Sequence, residues 1–220
     1  MVVAEHHSSP AARADRRKAD SRQRLQAAAR KLFIERGYHA TRPQDIARAA
    51  DVGHGTFYLH FADKRDCFLA FAEAARDELE RFVGARLAGI DGVEPQLRAV
   101  LEALLDYAEQ NPGVLRAAMT DVSAIAGDDS TVVPLIERWA QYWAARIRSG
   151  ARVGAIHADY DAEVVGHAIV GLIRGAAACG GHRRAALVDT AARFLARALV
   201  PAGAAETAKH HKFVHGKAEI

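Results

Sequence analysis

The stretch that decides the fold is Thr41–Lys64, TRPQDIARAADVGHGTFYLHFADK. Thr41 and Gln44 stand at the spacing of a capping box, which predicts that a helix begins here. Small side chains on the inner face of this helix, Ala47 and Ala50, allow a second helix to cross it closely. A short Asp-Val-Gly turn separates the two predicted helices. This order predicts a helix-turn-helix, a motif whose second helix fits the major groove of DNA.

Apolar residues at helical spacing continue on both sides of this stretch. Leu25, Leu32 and Phe33 occupy the i, i+7 and i+8 positions of one helix face. Asp63 is predicted to cap a long helix that follows, and helical patterns then continue to about residue 200. No segment alternates apolar and polar residues as a half-buried strand does. The sequence therefore predicts an all-α fold, in which an N-terminal three-helix domain with the helix-turn-helix precedes a C-terminal helical domain.

Charge is distributed unevenly along the chain. The formal net charge of the 220 residues is only +3 with histidine neutral. From Arg13 to Arg65, however, 13 Lys and Arg stand against 6 Asp and Glu, which gives this segment +7 and leaves −4 for the rest. A basic segment joined to an acidic remainder indicates a module that binds a polyanion. A solvated charged surface is the alternative.

Composition disfavours several classes of protein. Half of the residues are hydrophobic and 26% are charged, as in folded globular proteins. Cys67 and Cys179 cannot form a disulfide framework and fit a reducing cytoplasm. No apolar run approaches the ~18 residues of a membrane span, and no signal peptide is recognisable, so a cytoplasmic protein is expected. Phosphate-binding loops and hydrolase or metalloprotease motifs are absent from the sequence. We therefore predict no catalytic residues, cofactor or metal.

The predicted helix-turn-helix and its flanks resemble the DNA-binding domain of the TetR family of bacterial transcriptional regulators. The resemblance covers roughly the first third of the chain, from about Ser21 to Phe82. It is carried by Leu32–Phe33, Gly37–Tyr38, Thr41, Asp45–Ile46–Ala47, Val52, Gly55–Thr56–Phe57–Tyr58, His60–Phe61 and Lys64–Arg65. It implies a homodimer whose C-terminal helices form both the dimer interface and a pocket for a small-molecule inducer.

The resemblance also implies which residues contact double-stranded DNA. Thr41, Tyr58 and Lys64 match positions that contact phosphates, and Gln44 matches one that reaches a base from the preceding helix. Pro43 stands where many members of the family have a hydroxyl or apolar residue, so one phosphate contact of the family is missing at this position. Arg42 is the candidate to replace that contact. The positions that match the major-groove surface are His54, Gly55, Thr56 and His60.

On this resemblance the chain divides into four segments. Residues 1–20 are interpreted as a basic flexible arm, because Ser9–Pro10 are taken as helix breakers. Residues 21–66 are predicted to form the helix-turn-helix DNA-binding domain, and residues 67–200 the helical ligand-binding and dimerisation domain. Residues 201–220 are interpreted as a flexible tail.

The C-terminal helices supply candidates for an interface and a pocket. Gly166, Gly171 and Gly175 permit the close helix approach of a four-helix dimer interface, with packing inside the chain as the alternative. The interface candidates are Val165, Ile169, Leu172, Gly175, Leu187, Ala191 and Phe194. A pocket for a hydrophobic or aromatic inducer would be lined by apolar and aromatic side chains, which could instead be core. The pocket candidates are Leu104, Tyr107, Arg116, Met119, Trp139, Tyr142 and Trp143.

The predicted function is a repressor that a small inducer releases from a near-palindromic operator. A regulator controlled by a protein partner is one alternative. A helical metal-binding or enzymatic protein that keeps the fold is another, suggested by acidic and histidine residues between His157 and His167. Glu163 and His167 share a helix face in this cluster. Capping by Asp161 and solvation of the other side chains is the favoured explanation.

Overall fold

The computed structural model describes residues 9–120, 135–178 and 183–203. Within these ranges the chain is helical without a strand, so the predicted all-α fold is confirmed. None of the described helices combines the length and the apolarity that crossing a membrane requires. The helices are α1 (Pro10–Ala40), α2 (Pro43–Ala49), α3 (His54–Tyr58), α4 (Lys64–Leu87), α5 (Val93–Gln110), α6 (Val114–Thr120), α7 (Leu135–Arg152), α8 (Ala162–Ala178) and α9 (Arg184–Leu199).

The described residues fall into two compact units. The first unit comprises residues 9–74 and 116–120, and the second comprises residues 75–115, 135–178 and 183–203. The division lies within α4, eight residues beyond the boundary that the sequence suggested, because this helix supplies core residues to both units. Most of the tail predicted for residues 201–220 lies outside the described residues.

The start of α1 corrects the prediction of a flexible arm over residues 1–20. Residues 1–8 lie outside the described residues, but α1 is helical from Pro10 onward. The Ser9 hydroxyl accepts a hydrogen bond from the Ala12 amide at 3.4 Å, and Pro10 occupies the first helical turn. Serine at the N-cap followed by proline favours the beginning of a helix. The same two residues had been interpreted as helix breakers.

Aromatic side chains form the centre of the first unit. Phe33 of α1 meets Phe68 of α4 edge to face, with ring centroids 5.0 Å apart. Phe57 of α3 is fully buried, and its ring lies 5.5 Å from that of Phe61. Asp63 accepts a hydrogen bond from the Asp66 amide at 2.8 Å, which confirms its predicted capping of α4. The core of the first unit thus includes side chains of α1, α3 and α4.

Close contact between α7 and α8 characterises the second unit. Around it lies a core to which α4, α5, α7, α8 and α9 all contribute. A Cβ atom added at Gly166 of α8 would lie 2.2 Å from the backbone carbonyl oxygen of Ala140 in α7. Equivalent atoms at Gly171 and Gly175 would meet nothing within 4 Å. Gly166 therefore serves packing within the chain, whereas the other two glycines lie on an open face.

We expect Gly166→Ala to lower the free energy of unfolding by about 1–3 kcal/mol, the usual cost of overpacking. The new methyl group meets backbone, which can yield only if α7 and α8 separate. Gly84→Ala is the matched control, because Gly84 is an exposed helical glycine with open space around it. Alanine there should raise stability by up to about 1 kcal/mol. Urea unfolding of both variants measures the difference, and equal effects would contradict the packing role of Gly166.

Candidate DNA-binding surface

Helix α3 presents one buried and one exposed aromatic side chain in succession. Phe57 is 0% exposed and Tyr58 is 50% exposed. The Tyr58 ring meets the His54 ring edge to face at 5.2 Å, so the two side chains lie on the same outer face of the helix. A surface with a phenol and an imidazole side by side offers hydrogen-bonding groups to phosphates or base edges.

The turn that joins α2 to α3 is held by an arginine from α1. Asp51 adopts a left-handed conformation with φ of 51°, which aspartate tolerates better than most residues. The Arg24 guanidinium donates to the carbonyl oxygens of Ala50 and Asp51, both at 3.3 Å. Arg24 also pairs with Asp20 one turn earlier, at 3.2 Å. These bonds satisfy carbonyls that α2 leaves open at its C-terminal end.

Most of the predicted DNA contacts lie at the surface of the first unit. Arg42 is the N-cap residue of α2, and Gln44 lies in the first turn of that helix. Thr56 of α3 is half-buried. The predicted contacts that are exposed are Arg42, Gln44, His54, Gly55 and Tyr58. Their contact with DNA stays a prediction, which their exposure allows.

Thr41 is the clearest departure from the predicted surface. Its side chain is 0% exposed, and its hydroxyl donates to the carbonyl of Gly37 at 2.8 Å. Its backbone N–H bonds the carbonyl of Tyr38, so both hydrogen-bond donors of Thr41 are engaged at the end of α1. The prediction that the Thr41 side chain contacts a phosphate is therefore wrong for this structure. The predicted capping box is also replaced, because Arg42 is the N-cap of α2 and makes no side-chain capping bond.

His60 lies beyond α3, in the turn that leads to α4, and its ring bonds α1. Its Nε2 atom is 2.8 Å from the Oγ atom of Ser21. The Ser21 hydroxyl also lies within hydrogen-bond distance of the Lys18 carbonyl oxygen, at 3.0 Å, so this serine joins the His60 ring to the backbone of α1. Burial lowers the pKa of His60, and the positive charges of Arg22 and Lys18 lower it further. In this structure Nε2 of His60 links the turn to α1, and contact of its half-buried ring with a base stays a prediction.

Arg22 strengthens the same link between α1 and the turn after α3. Its guanidinium donates to the His60 carbonyl oxygen at 3.0 Å and lies 5.0 Å from the centre of the Phe61 ring. Ser21 and Arg22 were not among the predicted site residues. Their sequence offered no indication of this role, because the partner His60 lies 39 positions from Ser21 and 38 positions from Arg22.

Lys64 opens α4 and is half-buried. Its Nζ atom donates to the carbonyl oxygen of Tyr38 at 3.0 Å and lies 4.1 Å above the centre of the Tyr38 ring. An ammonium group carries three N–H donors, so two remain for a phosphate when one is held by Tyr38. The ammonium group is thereby fixed in position before any ligand arrives.

Leu59 is a surface residue that the predicted contacts did not include. It is the C-cap of α3 and is 73% exposed, more than any other large apolar side chain among the described residues. An aliphatic side chain on this surface suits contact with a thymine methyl group. Its place between two predicted contacts was the indication available in the sequence.

The pocket candidates are distributed over both units. Arg116 and Met119 belong to the first unit, and the other five belong to the second. Tyr107 is 0% exposed and its ring lies 5.5 Å from that of Phe82, while Trp143 is 4% exposed in the core. Leu104, Trp139 and Tyr142 pack against that core and are half-buried. The structure therefore places these five in or against the core, and a pocket among them stays a prediction.

The interface candidates separate into buried and exposed residues. Ile169 and Ala191 are 0% and 8% exposed within the single chain, so both belong to its own core, and a part for them in an interface stays a prediction. Phe194 is 62% exposed, and Gly175 is exposed as well. Those that are half-buried against the core are Val165, Leu172 and Leu187. Val164, which is 65% exposed beside Val165, was missed because both sides of α8 are apolar in sequence.

Side chains of the acidic and histidine cluster bond α7 and the backbone at the start of α8. His167 Nε2 lies 2.9 Å from a carboxylate oxygen of Glu137, and Glu163 accepts from Arg148 at 2.6 Å. Asp161 accepts from the amides of Glu163 and Val164, which confirms its predicted capping of α8. Across the described ranges no group of three such residues is arranged to hold a metal ion.

Cys67 is a buried residue of the first unit. Burial raises the pKa of its thiol to about 12, so the thiol stays protonated at neutral pH. A protonated thiol is a poor nucleophile, which disfavours redox sensing at this position. Cys179 lies outside the described residues.

Comparison with known proteins places the first unit among regulators that bind DNA. The family model described as "Bacterial regulatory proteins, tetR family" matches residues 25–71. This range contains α2, α3 and the first turns of α4, together with most of the buried residues of α1.

Two curated relatives are transcriptional regulators. The HTH-type transcriptional activator FasR of Mycolicibacterium smegmatis is 34% identical over 92 residues, which are 42% of this chain and 42% of FasR. The HTH-type transcriptional repressor DhaR of a Mycobacterium species is 24% identical over 159 residues, which are 70% of this chain and 79% of DhaR. The match to FasR thus spans less than half of either protein, whereas the match to DhaR includes C-terminal helices.

Solved structures share the fold over most of the chain. A γ-butyrolactone receptor described as an ArpA-like protein superposes with a TM-score of 0.62 and 25% sequence identity. The superposition covers 87% of this chain and 94% of the receptor. The likeness therefore extends beyond the helix-turn-helix.

Proposed function

Because the chain belongs to the TetR family of bacterial regulators, we propose that it is a transcription regulator that binds DNA as a homodimer. Its two α3 helices enter successive major grooves of a near-palindromic operator, as two-fold symmetry requires. A small hydrophobic or aromatic inducer in the second unit releases the dimer from DNA. Helix α4 belongs to both units and is the proposed path by which the inducer acts.

The observation that carries the proposal is the division of α3 into a buried and an exposed side. Phe57 anchors the helix in the core, while Tyr58 and His54 lie together on the outside. Arg24 holds the turn before α3, and Lys64 is fixed just after it. A short helix held at both ends with polar rings outward suits insertion into a groove.

Gel-shift titration against fragments of the source genome tests DNA binding. We expect one or a few fragments to bind much more tightly than the rest, with an affinity that falls steeply as salt rises. Uniform weak binding to every fragment would contradict a regulator. A reporter gene behind the bound fragment then distinguishes repression from activation, with repression as the proposed outcome.

Exposed apolar residues of the last two helices support the homodimer. Val164, Gly171 and Gly175 lie on one open face of α8, spaced seven and four residues apart. Phe194 lies exposed on α9. Exposed apolar surface at two helices of one unit suits a four-helix interface with a second copy.

The second unit is the proposed site of inducer binding. Aromatic residues on α5 and α7 give it an apolar interior, with Tyr142 beside Trp143 at 5.7 Å between ring centroids. Because a similar protein is a γ-butyrolactone receptor, γ-butyrolactones are the first compounds to add to the gel shift. A panel of hydrophobic and aromatic compounds follows. If none of these compounds releases the chain from DNA, and a protein from the same cells does, the result would favour control by a protein partner.

We expect Lys64→Ala to weaken binding to all DNA sequences by a similar factor. Loss of one phosphate contact in each subunit should reduce the slope of log affinity against log salt by about 0.9 per half-site. Lys31→Ala is the control, because Lys31 is an exposed lysine of α1 that pairs with Glu35. A change confined to one DNA sequence would show that Lys64 contacts bases rather than phosphates.

A further inference from the structure

The first turns of α1 are helical although they bury no side chains in a core. Residues 12–20, ARADRRKAD, are all exposed, and burial begins only at Ser21 and Leu25. This segment contains no large apolar side chain, so packing does not explain why it continues α1. We refer to residues 12–20 as the α1 extension.

The α1 extension joins the first unit beside the end of α3. Ser21, the next residue, bonds the ring of His60, which follows α3 by two positions. The positive charge of Lys18 lies close enough to lower the pKa of His60. Arg16 stands five residues before Ser21, or about 7.5 Å along the helix axis. The cations of the extension therefore begin at the end of α3 and continue outward from it.

Three consecutive cations surround the extension. Arg16, Arg17 and Lys18 are exposed, and successive residues of an α-helix point about 100° apart. Their side chains therefore leave the helix in three directions instead of forming one stripe. A groove of DNA has phosphates along both walls, so a helix with cations on several sides complements it. An acidic patch on a protein would need cations on one face only.

We propose that the α1 extension is a second DNA contact, in which Arg16, Arg17 and Lys18 bind backbone phosphates that flank the bases contacted by α3. This inference rests on the proposed function, because it requires that α3 is docked on DNA. These residues precede the range matched by the family model, which begins at residue 25. The extension adds affinity for flanking DNA without adding sequence preference.

The first test removes the three charges and keeps the side-chain length. Binding of the full chain with Arg16→Gln, Arg17→Gln and Lys18→Gln is titrated at several salt concentrations, on a duplex with the selected site and long flanks. We expect the salt slope to fall by about 1.8–2.7 per subunit, which corresponds to two or three phosphate contacts. The selected and an unrelated duplex should lose similar factors.

The matched control is Arg81→Gln, Arg148→Gln and Arg152→Gln, which removes three exposed arginines of the second unit. It changes the net charge by the same amount at positions outside the extension. The proposal would be overturned if the triple variant at Arg16, Arg17 and Lys18 showed the same dependence of log affinity on log salt as this control. Trimming the flanks of the duplex should weaken the unaltered chain and leave the variant unaffected.

The second test keeps the charges and breaks the helix. Proline at Ala19 removes a helical N–H and clashes with the preceding turn. Helix α1 can still begin at residue 19, because proline is tolerated in a first turn, and the core starts at Ser21. We expect Ala19→Pro to bind the flanked duplex about 10-fold more weakly. Unchanged affinity would show that a flexible basic arm suffices and would overturn the helical contact.

Tyr58→Ala separates the two proposals. Should the unaltered chain select no duplex, the proposed function fails. Should it select a duplex, and Tyr58→Ala weaken that complex while the extension variants match their control, then only the second DNA contact fails.

Discussion

Phe194→Glu is expected to convert the proposed homodimer into a monomer. Phe194 is 62% exposed on α9 in the single chain, so its substitution leaves the chain's own core intact. In the proposed dimer the same ring is buried against the second copy, and a carboxylate there would be desolvated without a partner. Light scattering after size exclusion should give a mass near the 23.8 kDa of one chain instead of twice that value.

Loss of the dimer should also lower operator affinity by about 100-fold or more, because the second half-site then no longer binds intramolecularly. Val153→Glu is the control, since Val153 is an exposed apolar residue of the same unit that lies outside α8 and α9. It should stay dimeric and bind normally. A dimeric Phe194→Glu variant would remove α9 from the proposed interface, and an unaltered chain that is already monomeric would remove the homodimer.

Phe57→Ala and Tyr58→Ala change neighbouring residues of α3 and are expected to affect different properties, the first stability and the second DNA binding. Truncation of Phe57, which is 0% exposed, leaves a cavity next to Phe61 and should lower the free energy of unfolding by about 3–5 kcal/mol. Truncation of Tyr58 should change stability by less than about 0.5 kcal/mol. It should nevertheless weaken operator binding by about 1–3 kcal/mol per half-site, through loss of a DNA contact.

Two spectroscopic probes distinguish the units in this experiment. Both tryptophans, Trp139 and Trp143, lie in the second unit, so tryptophan emission follows that unit alone. Far-UV circular dichroism follows helices of both units. We expect Phe57→Ala to lower the urea concentration at the midpoint of the transition followed by circular dichroism. Tyr58→Ala should leave this midpoint unchanged. A Tyr58 variant as unstable as the Phe57 variant, or one that binds DNA normally, would contradict the division of α3.

The helix-turn-helix was predictable because its pattern is local. Phe57 and Phe61 are one helical turn apart, and Asp63 is followed by helix formers, so each element could be inferred from its own residues. The start of α1 was not predicted, because Ser9 and Pro10 have two meanings. In the middle of a helix a serine and a proline interrupt the helix, whereas at its N-terminus they favour its start. The few residues that precede Ser9 show no pattern that distinguishes these two cases.

Hydrogen bonds and packing that the sequence pattern does not reveal account for the remaining differences. Thr41 and His60 match surface positions in the sequence pattern, but their hydrogen bonds go to Gly37 and Ser21. Likewise α8 is apolar on two sides. Only the structure shows that Ile169 faces the chain's own core while Val164 faces outward.

The shortness of α3 has a consequence for how the recognition element can be used. Five residues form little more than one turn, and isolated helices of fewer than about 12–15 residues are marginal in water. Helix α3 is therefore a helix because Phe57 is anchored in the core, Arg24 holds the turn before it and Ser21 and Arg22 hold the turn after it. A synthetic peptide of α3 would carry the candidate contacts of this helix and still lack the shape that presents them. We therefore expect DNA affinity from the assembled first unit and not from an isolated peptide of α3.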